Sequence, residues 1–346
     1  MPLTARKIGQ ISVHPIGFGV MGLSVFYGAT ASDEERLKVL DRAHKLGCTH
    51  WDTADVYGDS EQLLGKWFKR TGKRCEIFLS TKLGVSASGI RGDAEYIRSQ
   101  CMQSLQRMGV DYIDILPDPT TPIEISVQAM AQLVKEGKVK QIGLSEVTAT
   151  GKRILIRCVV QAEKAITDLR RAYKIHPIAA LQVEYNPFVL DIENPSIGIL
   201  EAARSLGVTI VAYSPLARGL VTGRYKSPED FEPDDFRLLI PKFSKDNFPK
   251  ILEISNRIAQ IGAGHHATPG QVTLAWILAQ GSDFVVIPGT KNVKYLVENM
   301  KSEDLVLTTG EIAAIRNIAQ DAEKIEGARV PEGLGAVLQP TPELSE

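Results

Sequence analysis

Short apolar runs alternate with longer amphipathic segments along most of the chain. Eight runs of four or five residues combine apolar, β-branched and aromatic side chains, which is the pattern of buried strands. These predicted strands are Ile16–Gly19, Thr49–Thr53, Ile77–Thr81, Tyr112–Leu116, Gln141–Ser145, Ala180–Glu184, Thr209–Tyr213 and Phe284–Pro288.

Segments of helical period fill most of the intervals between these strands. Ser32 is suited to cap a helix over Asp33–Leu46, which has acidic residues in its first turn and stops at Gly47. The other predicted helices are Ser60–Lys69, Asp93–Met108, Ile123–Glu136, Ser196–Leu206 and Pro269–Ala279.

Eight strands that alternate with helices predict a (β/α)8 barrel. We expect one domain over residues 1–346, with the barrel core at about 8–329 and an insertion at 150–167. A doubly wound sheet is the alternative, but no helix follows the glycine-rich Gly17–Gly22 directly, as that fold requires. Lys7–Val13 is expected to form a hairpin over the barrel floor. The tail at 330–346 either covers the pocket or is partly disordered.

Composition narrows the classes of function. The 346 residues include 40 basic and 41 acidic side chains, a net charge of −1, which argues against nucleic acid or an anionic membrane as a partner. The start lacks the apolar core of a signal peptide, and no apolar stretch is long enough to span a bilayer. Four scattered cysteines favour a cytoplasmic protein with reduced thiols, and the histidine spacing does not favour a metal site.

Asp52, Tyr57 and Lys82 form the candidate catalytic group. They lie at the ends of two successive predicted strands, and the carboxyl ends of barrel strands face one shared pocket. A tyrosine hydroxyl, with an ordinary pKa of about 10, can donate a proton to a carbonyl oxygen, and a nearby ammonium eases its release. The aspartate would hold the lysine charged and in place. Taken alone, this motif is also compatible with purely structural roles.

The wider set of motifs resembles the aldo-keto reductases, most closely the fungal and bacterial group with Gly-Phe-Gly-x-Met-Gly-Leu-Ser near the start. The resemblance runs in order from about Ile8 to Arg329. It implies a (β/α)8 barrel that binds NADPH at its C-terminal face and reduces aldehydes and ketones without a metal. The motifs that carry it are Gly17–Ser24, Trp51–Gly58, Ser80–Lys82, Ile142–Glu146, Gln182–Pro187, Tyr213–Leu220 and Ile287–Lys291.

The resemblance also implies roles for single residues. Tyr57 matches the proton donor, Lys82 the lysine that lowers its pKa, and Asp52 the residue that holds the lysine. Independently of the resemblance, Phe26, Tyr27 and Trp51 are expected to contact a small carbonyl substrate; Phe26 and Tyr27 suggest an apolar wall, and the alternative is that they only pack the loop. The expected cofactor-binding residues are Met21, Asp52, Ser145, Gln182, Tyr213, Ser214, Leu216, Arg218, Gly219, Thr290, Lys291, Glu298 and Asn299.

Simpler roles stay open for several of these positions. Stacking on Tyr213 would leave one nicotinamide face exposed, but Tyr213 also suits a core aromatic. Gln182 also suits a residue that satisfies strand ends. A cation such as Lys291 near a 2′-phosphate would favour NADP over NAD, whereas a solvated surface lysine is the alternative. Because the family is often monomeric or weakly associated, we expect a monomer or a weak homo-oligomer.

One expected residue is missing. The family places a histidine after its fourth strand, facing the substrate oxygen, in a Tyr-x-His-Arg run before an Asp-Pro pair. Here Tyr112–Glu124 keeps the Asp-Pro pair but is several residues shorter and contains no histidine. Asp118 is the nearest polar residue, and its carboxylate would repel a developing oxyanion unless protonated.

A second departure from the family pattern follows Ser145. The family passes almost directly to a helix like Asp168–Ala172, whereas this chain inserts Thr150–Thr167. The insert contains Arg153–Val160, largely apolar and β-branched, which would be an aggregation risk if exposed. The insert and the lost histidine suggest either a gene-model error or real changes that retuned or disabled the enzyme.

Two functions fit this sequence. The first is an NADPH-dependent carbonyl reductase in which Tyr57 protonates the substrate oxygen. The second is a catalytically weak or inactive NADPH-binding accessory or sensor protein, since a fold does not fix a function.

The gene-model explanation is tested by sequencing the transcript. Gly151-Lys152 can be encoded by GGT-AAG, which contains a common intron donor sequence. A retained intron predicts a mature message that lacks the codons for Thr150–Thr167. A message that encodes the whole insert excludes this explanation.

Overall fold

The structure is a computed structural model that describes residues 5–86, 89–117, 122–145 and 168–328. The strands in these ranges are β1 (Arg6–Ile8), β2 (Ile11–Val13), β3 (Phe18–Gly19), β4 (His50–Asp52), β5 (Phe78–Ser80), β6 (Val85–Ser86), β7 (Gly89–Ile90), β8 (Ile113–Pro117), β9 (Val139–Ser145), β10 (Ile178–Glu184), β11 (Thr209–Tyr213) and β12 (Phe284–Val286). The α-helices are α1 (Asp33–Lys45), α2 (Ser60–Thr71), α3 (Ala94–Met108), α4 (Ile123–Lys135), α5 (168–175), α6 (Ile199–Ser205), α7 (Phe248–Ala263), α8 (Pro269–Leu278), α9 (Val293–Met300) and α10 (Thr309–Glu323).

Eight parallel strands form one sheet in the order β12-β11-β10-β9-β8-β5-β4-β3. Its two edges meet. Gly17 N donates to Val286 O at 2.7 Å, Val286 N donates to Pro15 O at 3.0 Å, and Gly19 N donates to Pro288 O at 3.2 Å. The sheet therefore closes on itself, which confirms the predicted (β/α)8 barrel and its eight strands.

Two glycines permit this closure. A Cβ on Gly19 would lie 2.8 Å from the carbonyl oxygen of Ile287, and a Cβ on Gly289 would lie 2.8 Å from the carbonyl oxygen of Gly19. Real Cβ atoms do not approach backbone atoms this closely. The seam between the first and last barrel strands therefore requires residues without side chains.

The predicted hairpin covers the floor of the barrel. β1 and β2 pair antiparallel, and Ile8 and Val13 pack with Phe78 and Val285 in a buried apolar cluster. The Arg6 guanidinium donates to two backbone carbonyl oxygens in and after the last turn of α8, at 2.7 and 3.1 Å. Carbonyls at a helix C-terminus lack partners within the helix and attract a cation, so Arg6 fixes the hairpin in place.

Local sequence signals set most helix ends. Ser32 caps α1 and forms a capping box with Glu35, as the sequence predicts for the cap. The helix predicted from Ser196 begins three residues later, because Asn194 Oδ1 accepts from Ser196 N at 2.9 Å and Gly198 is left-handed with φ 64°. Helices α7, α9 and α10 were not among the helices predicted from the sequence.

The predictions for Asp118, for the insertion at 150–167 and for the tail at 330–346 concern residues outside the described ranges. Helix α5 occupies the place expected for a helix like Asp168–Ala172. None of the helices in the described ranges combines the length and the apolar content needed to cross a bilayer.

Gly19→Ala is expected to lower the free energy of unfolding by about 1–3 kcal/mol, because the new Cβ meets backbone on the opposite strand. Urea unfolding followed by circular dichroism measures the change. Gly310→Ala, in the first turn of α10 with its nearest atom at 3.9 Å, is the matched control and is expected to be neutral or stabilising by up to about 1 kcal/mol. A Gly19→Ala variant as stable as the natural protein would contradict closure by close backbone approach.

Candidate active site

Residues expected in the site gather at the C-terminal face of the barrel. Asp52 ends β4, Ser145 ends β9 and Tyr213 ends β11. Gln182, on β10, pairs directly with Ser145 in the sheet. Met21 lies half-buried in the 3₁₀ turn that follows β3. Since parallel strands carry their carboxyl ends to one edge, residues far apart in the sequence share one pocket.

Asp52 is the centre of the polar network. Its Oδ1 accepts from Lys82 Nζ at 2.5 Å, and its Oδ2 accepts from Gln182 Nε2 at 2.8 Å. Lys82 Nζ also donates to the carbonyl oxygen of Thr53 at 2.9 Å. Asp52 is 4% exposed, so its buried charge is stabilised by one donor that follows β5 and one on β10.

Lys82 links this carboxylate to Tyr57. Its Nζ lies 5.4 Å from the centroid of the Tyr57 ring. Burial opposes the charged form of Lys82, but attraction to Asp52 and Tyr57 and hydrogen bonds to both outweigh it and raise its pKa above the ordinary value. A fixed ammonium therefore lies beside the phenol that is the expected proton donor.

Phe26 forms one wall beside Tyr57. Its ring is edge-on to Tyr57, with centroids 6.5 Å apart, and edge-on to Phe236 at 5.5 Å. The side chain is 42% exposed, so it is available to a ligand. Tyr27 is half-buried, and the Arg237 guanidinium lies 5.1 Å from the centroid of the Tyr27 ring. Burial raises the pKa of the Tyr27 hydroxyl.

Trp51 does not lie in the pocket, contrary to the expectation that it contacts the substrate. Successive side chains on a strand point to opposite faces, so Trp51 faces the helix layer when Asp52 faces the barrel. Its ring is fully buried, 4.6 Å from Trp67 and 6.2 Å from Phe68 on α2, between centroids. Its role is in the core.

The loop after β11 holds the residues expected around the cofactor pyrophosphate. Ser214, Ala217 and Arg218 have φ angles of 47°, 48° and 57°, and Gly219 has 95°. Leu216, between them, accepts from Gly219 N at 2.9 Å. Left-handed non-glycine residues are strained and concentrate at ligand sites, where the surroundings hold them.

Arg237 holds this loop, and the sequence analysis missed it. Its Nη1 donates to the carbonyl oxygen of Arg218 at 2.9 Å, and it forms a buried ion pair with Asp235 at 2.6 Å. Its guanidinium also lies 4.3 Å from the ring centroids of Tyr225 and Phe231. In the sequence, Arg237 is marked only by its apolar neighbours Phe236 and Leu238. Its contacts are with segments that no sequence motif links to it.

Arg218 supplies positive charge beside the loop. Its guanidinium lies 3.8 Å from the Glu184 carboxylate and is about nine-tenths buried. The Nη1 atom has no hydrogen-bond partner among the described residues. A buried donor without an acceptor is unfavourable, so this group suits an anionic oxygen brought by a ligand.

The segment after β12 contains the four residues predicted to bind the adenosine end of a dinucleotide. Thr290 is half-buried and Lys291 is exposed before α9, and Thr290 Oγ1 accepts from Asn292 N at 3.0 Å. Glu298 is half-buried on α9 and accepts from a threonine hydroxyl at 2.8 Å, whereas Asn299 is buried. Glu298 lies close to Leu216 of the loop after β11, because a Cβ on Gly270 would be 3.7 Å from a side-chain atom of each.

Arg224 is a further cation at this end that the sequence analysis did not select. Its guanidinium lies 5.6 Å from the ring centroid of Tyr295 on α9 and 5.1 Å from that of Tyr225. An arginine against a tyrosine ring forms a surface on which a base or a phosphate can bind.

The six histidines all lie within the described ranges. None of them lies directly after β8, where the oxyanion donor is expected. The closest in sequence to Asp52 is His50, whose ring packs 5.2 Å from that of Phe78. Burial lowers the pKa of His50 to about 4, so the ring is neutral. His14, His44 and His265 pair with glutamates elsewhere.

Comparison with known proteins agrees with this geometry. A model of the aldo/keto reductase family matches residues 15–320. Aldo-keto reductase str7 from Strobilurus tenacellus is 58% identical over 355 aligned positions, covering 100% of both chains. Aldo-keto reductase yakc from Schizosaccharomyces pombe, whose name specifies NADP(+), is 43% identical over 98% of this chain and 97% of its own.

A solved structure shows the same fold. The glycerol dehydrogenase AKR11B4 from Gluconobacter oxydans superposes with a TM-score of 0.76 at 24% identity, over 93% of this chain and 96% of its own. The motifs, the barrel and relatives that align over nearly the whole length agree, and the chain belongs to the aldo/keto reductase family.

Proposed function

We propose that this protein reduces an aldehyde or ketone to an alcohol with NADPH, and that Tyr57 donates the proton. Membership of a family of carbonyl oxidoreductases supports the reaction class. The observation that carries the residue assignment is the Asp52–Lys82–Tyr57 cluster at the mouth of the barrel.

The loop after β11 and the segment at 290–299 suit the two ends of a phosphorylated dinucleotide. The unpartnered Arg218 Nη1 and the strained loop at 214–219 suit the pyrophosphate. The cations Lys291, Lys294 and Arg224 at the other end suit a 2′-phosphate, in line with the NADP(+) in the name of the yeast relative. Ser145 and Gln182 would hold the carboxamide, and NADPH, when bound there, supplies the hydride.

The protein's own residues control the proton. The Tyr57 hydroxyl gives its proton to the substrate oxygen as negative charge develops there. Lys82 stabilises the phenolate that remains, because its ammonium is fixed beside the ring. Asp52 keeps Lys82 charged and oriented, and its second oxygen is held by Gln182.

The expected turnover is slow. The sequence has no histidine in the segment directly after β8, and the loss of one oxyanion donor typically lowers a rate by roughly 10²–10³. The alignment with the Strobilurus relative spans 355 positions against 346 residues here, so at least nine positions of the relative have no counterpart. A deletion before the Asp-Pro pair is consistent with that difference.

The missing histidine also favours a second candidate function, an NADPH-binding protein that reports cofactor state without turnover. The two candidates are distinguished by mixing the protein with NADPH and 4-nitrobenzaldehyde and following absorbance. Tight cofactor binding without oxidation supports the second candidate. In either case we propose one barrel domain that acts in the cytoplasm on a small carbonyl ligand, as a monomer or weak homo-oligomer.

A second carboxyl near Tyr57 gives the site a pH dependence. Burial and the nearby charge of Glu61 raise the pKa of Asp55 to about 7, against the attraction of Arg107. The folded protein therefore holds this proton more tightly than the unfolded chain. Its stabilising contribution is complete below the ordinary pKa of 3.8 and is lost as the pH rises through about 7.

Tyr57→Phe is expected to lower kcat with 4-nitrobenzaldehyde by about 10²–10⁴-fold, because the proton donor is removed. The Kd for NADPH, measured by fluorescence, is expected to stay unchanged. Tyr112→Phe, which removes a phenol at the opposite end of the barrel, is the control and should keep full activity. Full activity of Tyr57→Phe would show that another group donates the proton.

Asp55→Asn is expected to raise the melting temperature relative to the natural protein at pH 8 more than at pH 5, because only the natural residue gains an unfavourable buried charge as the pH rises. Differential scanning fluorimetry at both pH values measures the difference. Asp234→Asn, at an exposed carboxylate, is the control. Equal shifts at both pH values for Asp55→Asn would contradict a raised pKa.

A further inference from the structure

The loop at 26–29 connects the two ends of the proposed site and is held by bonds from two other segments. Phe236 N donates to the carbonyl oxygen of Phe26 at 3.1 Å, and Ala29 N donates to Glu232 Oε2 at 3.0 Å. From the segment after β12, Lys291 Nζ donates to the carbonyl oxygens of Tyr27 at 2.5 Å and Ala29 at 3.2 Å. The loop therefore depends on contacts outside itself.

The conformation of this loop is unfavourable on its own. Phe26 is left-handed, with φ 74°, and keeps a large apolar ring exposed. Gly28 is also left-handed, with φ 69°, and a Cβ there would lie 1.9 Å from Glu232 Oε2. Strained backbone persists only where its surroundings impose it, so losing one of these bonds allows the loop to relax.

Each end of the loop touches one part of the proposed site. At one end the Phe26 ring stands edge-on to Tyr57, beside the place where a carbonyl must bind. At the other end Lys291 is the cation proposed for the 2′-phosphate. An ammonium has three donors, and Lys291 uses two of them on the loop carbonyls. A phosphate is a stronger acceptor than a neutral carbonyl, so a 2′-phosphate competes for Lys291.

We infer that Lys291 is a positioning residue through which the 2′-phosphate controls Phe26 and the width of the entrance beside Tyr57. Without that phosphate, Lys291 holds the loop and Phe26 narrows the entrance. With it, Lys291 turns to the phosphate and Phe26 is free to make room for a bulky carbonyl. This inference rests on the proposed NADP(H) function, and it makes the cofactor's phosphate a determinant of substrate acceptance as well as of affinity.

A neighbouring lysine separates charge from loop contact. Lys294 is an exposed cation in the first turn of α9, and its Nζ lies 5.8 Å from the ring centroid of Tyr295. Its replacement lowers the positive potential at the phosphate end but leaves both Lys291 bonds to the loop in place. Lys294→Met is therefore the matched control for Lys291→Met.

The first test is amide hydrogen exchange of the 24–31 segment in the full-length protein, with 2′-AMP or 5′-AMP as the probe. In the natural protein 2′-AMP should speed amide exchange about fivefold, which is the effect expected from the loss of one net hydrogen bond. 5′-AMP should leave the exchange rate unchanged. Lys291→Met should exchange quickly without nucleotide and not respond. Lys294→Met should respond as the natural protein does, at a higher 2′-AMP concentration.

The second test measures the substrate end without turnover. The Kd of 4-nitrobenzaldehyde is determined by calorimetry for the NADP⁺ and the NAD⁺ complexes, and the natural protein should bind it about fivefold more tightly with NADP⁺. In Lys291→Met the two values should agree. For the smaller aldehyde propanal, the natural protein should have the same Kd in the NADP⁺ and the NAD⁺ complexes.

Unchanged or slower exchange with 2′-AMP in the natural protein overturns the inference, as does a Lys291→Met variant that keeps the response. The two levels of proposal fail differently. If neither 2′-AMP nor NADPH binds in calorimetry, the proposed cofactor is wrong. If both bind and the loop does not respond, only the coupling through Lys291 is wrong.

Discussion

Closure of the barrel between β3 and β12 is the constraint on which the site depends. Gly19 and Gly289 let two backbones meet where any side chain would collide. The closed ring brings Asp52 and Gln182, which are 130 residues apart in the sequence, within 2.8 Å across its interior. An open sheet would leave the buried Asp52 carboxylate with one donor fewer, since Gln182 reaches it only across the closed ring.

The described part of the proposed site joins a phenol, an ammonium and a carboxylate. Lys82 lies between Tyr57 and Asp52, within hydrogen-bond distance of the carboxylate and 5.4 Å from the centre of the Tyr57 ring. No described histidine follows β8, and the neutral His50 is buried against Phe78 within β4. The exposed Phe26 ring, edge-on to Tyr57, is the apolar surface beside this cluster.

The spacing of apolar residues and the residue types at helix ends were enough to predict the elements that depend on neighbouring residues in the sequence. The eight strands follow from short apolar runs, and the cap at Ser32 follows from hydroxyl and acidic residues at fixed spacing. The error at Trp51 came from treating a motif as if all of its residues faced one way, although strand side chains alternate. Arg237 and the contact of Lys291 with the loop at 26–29 depend on segments distant in sequence, so no local pattern could indicate them.

The hydrogen bond between Gln182 and Asp52 fixes which way round the glutamine amide is held. A carboxylate can only accept, so the Gln182 NH₂ group faces Asp52 and the amide oxygen is left for the pocket. A group that meets this oxygen must therefore donate. Asp52 thus sets the polarity of the pocket wall from behind the glutamine, and a carboxamide that lies against the Gln182 oxygen must turn its NH₂ group toward it.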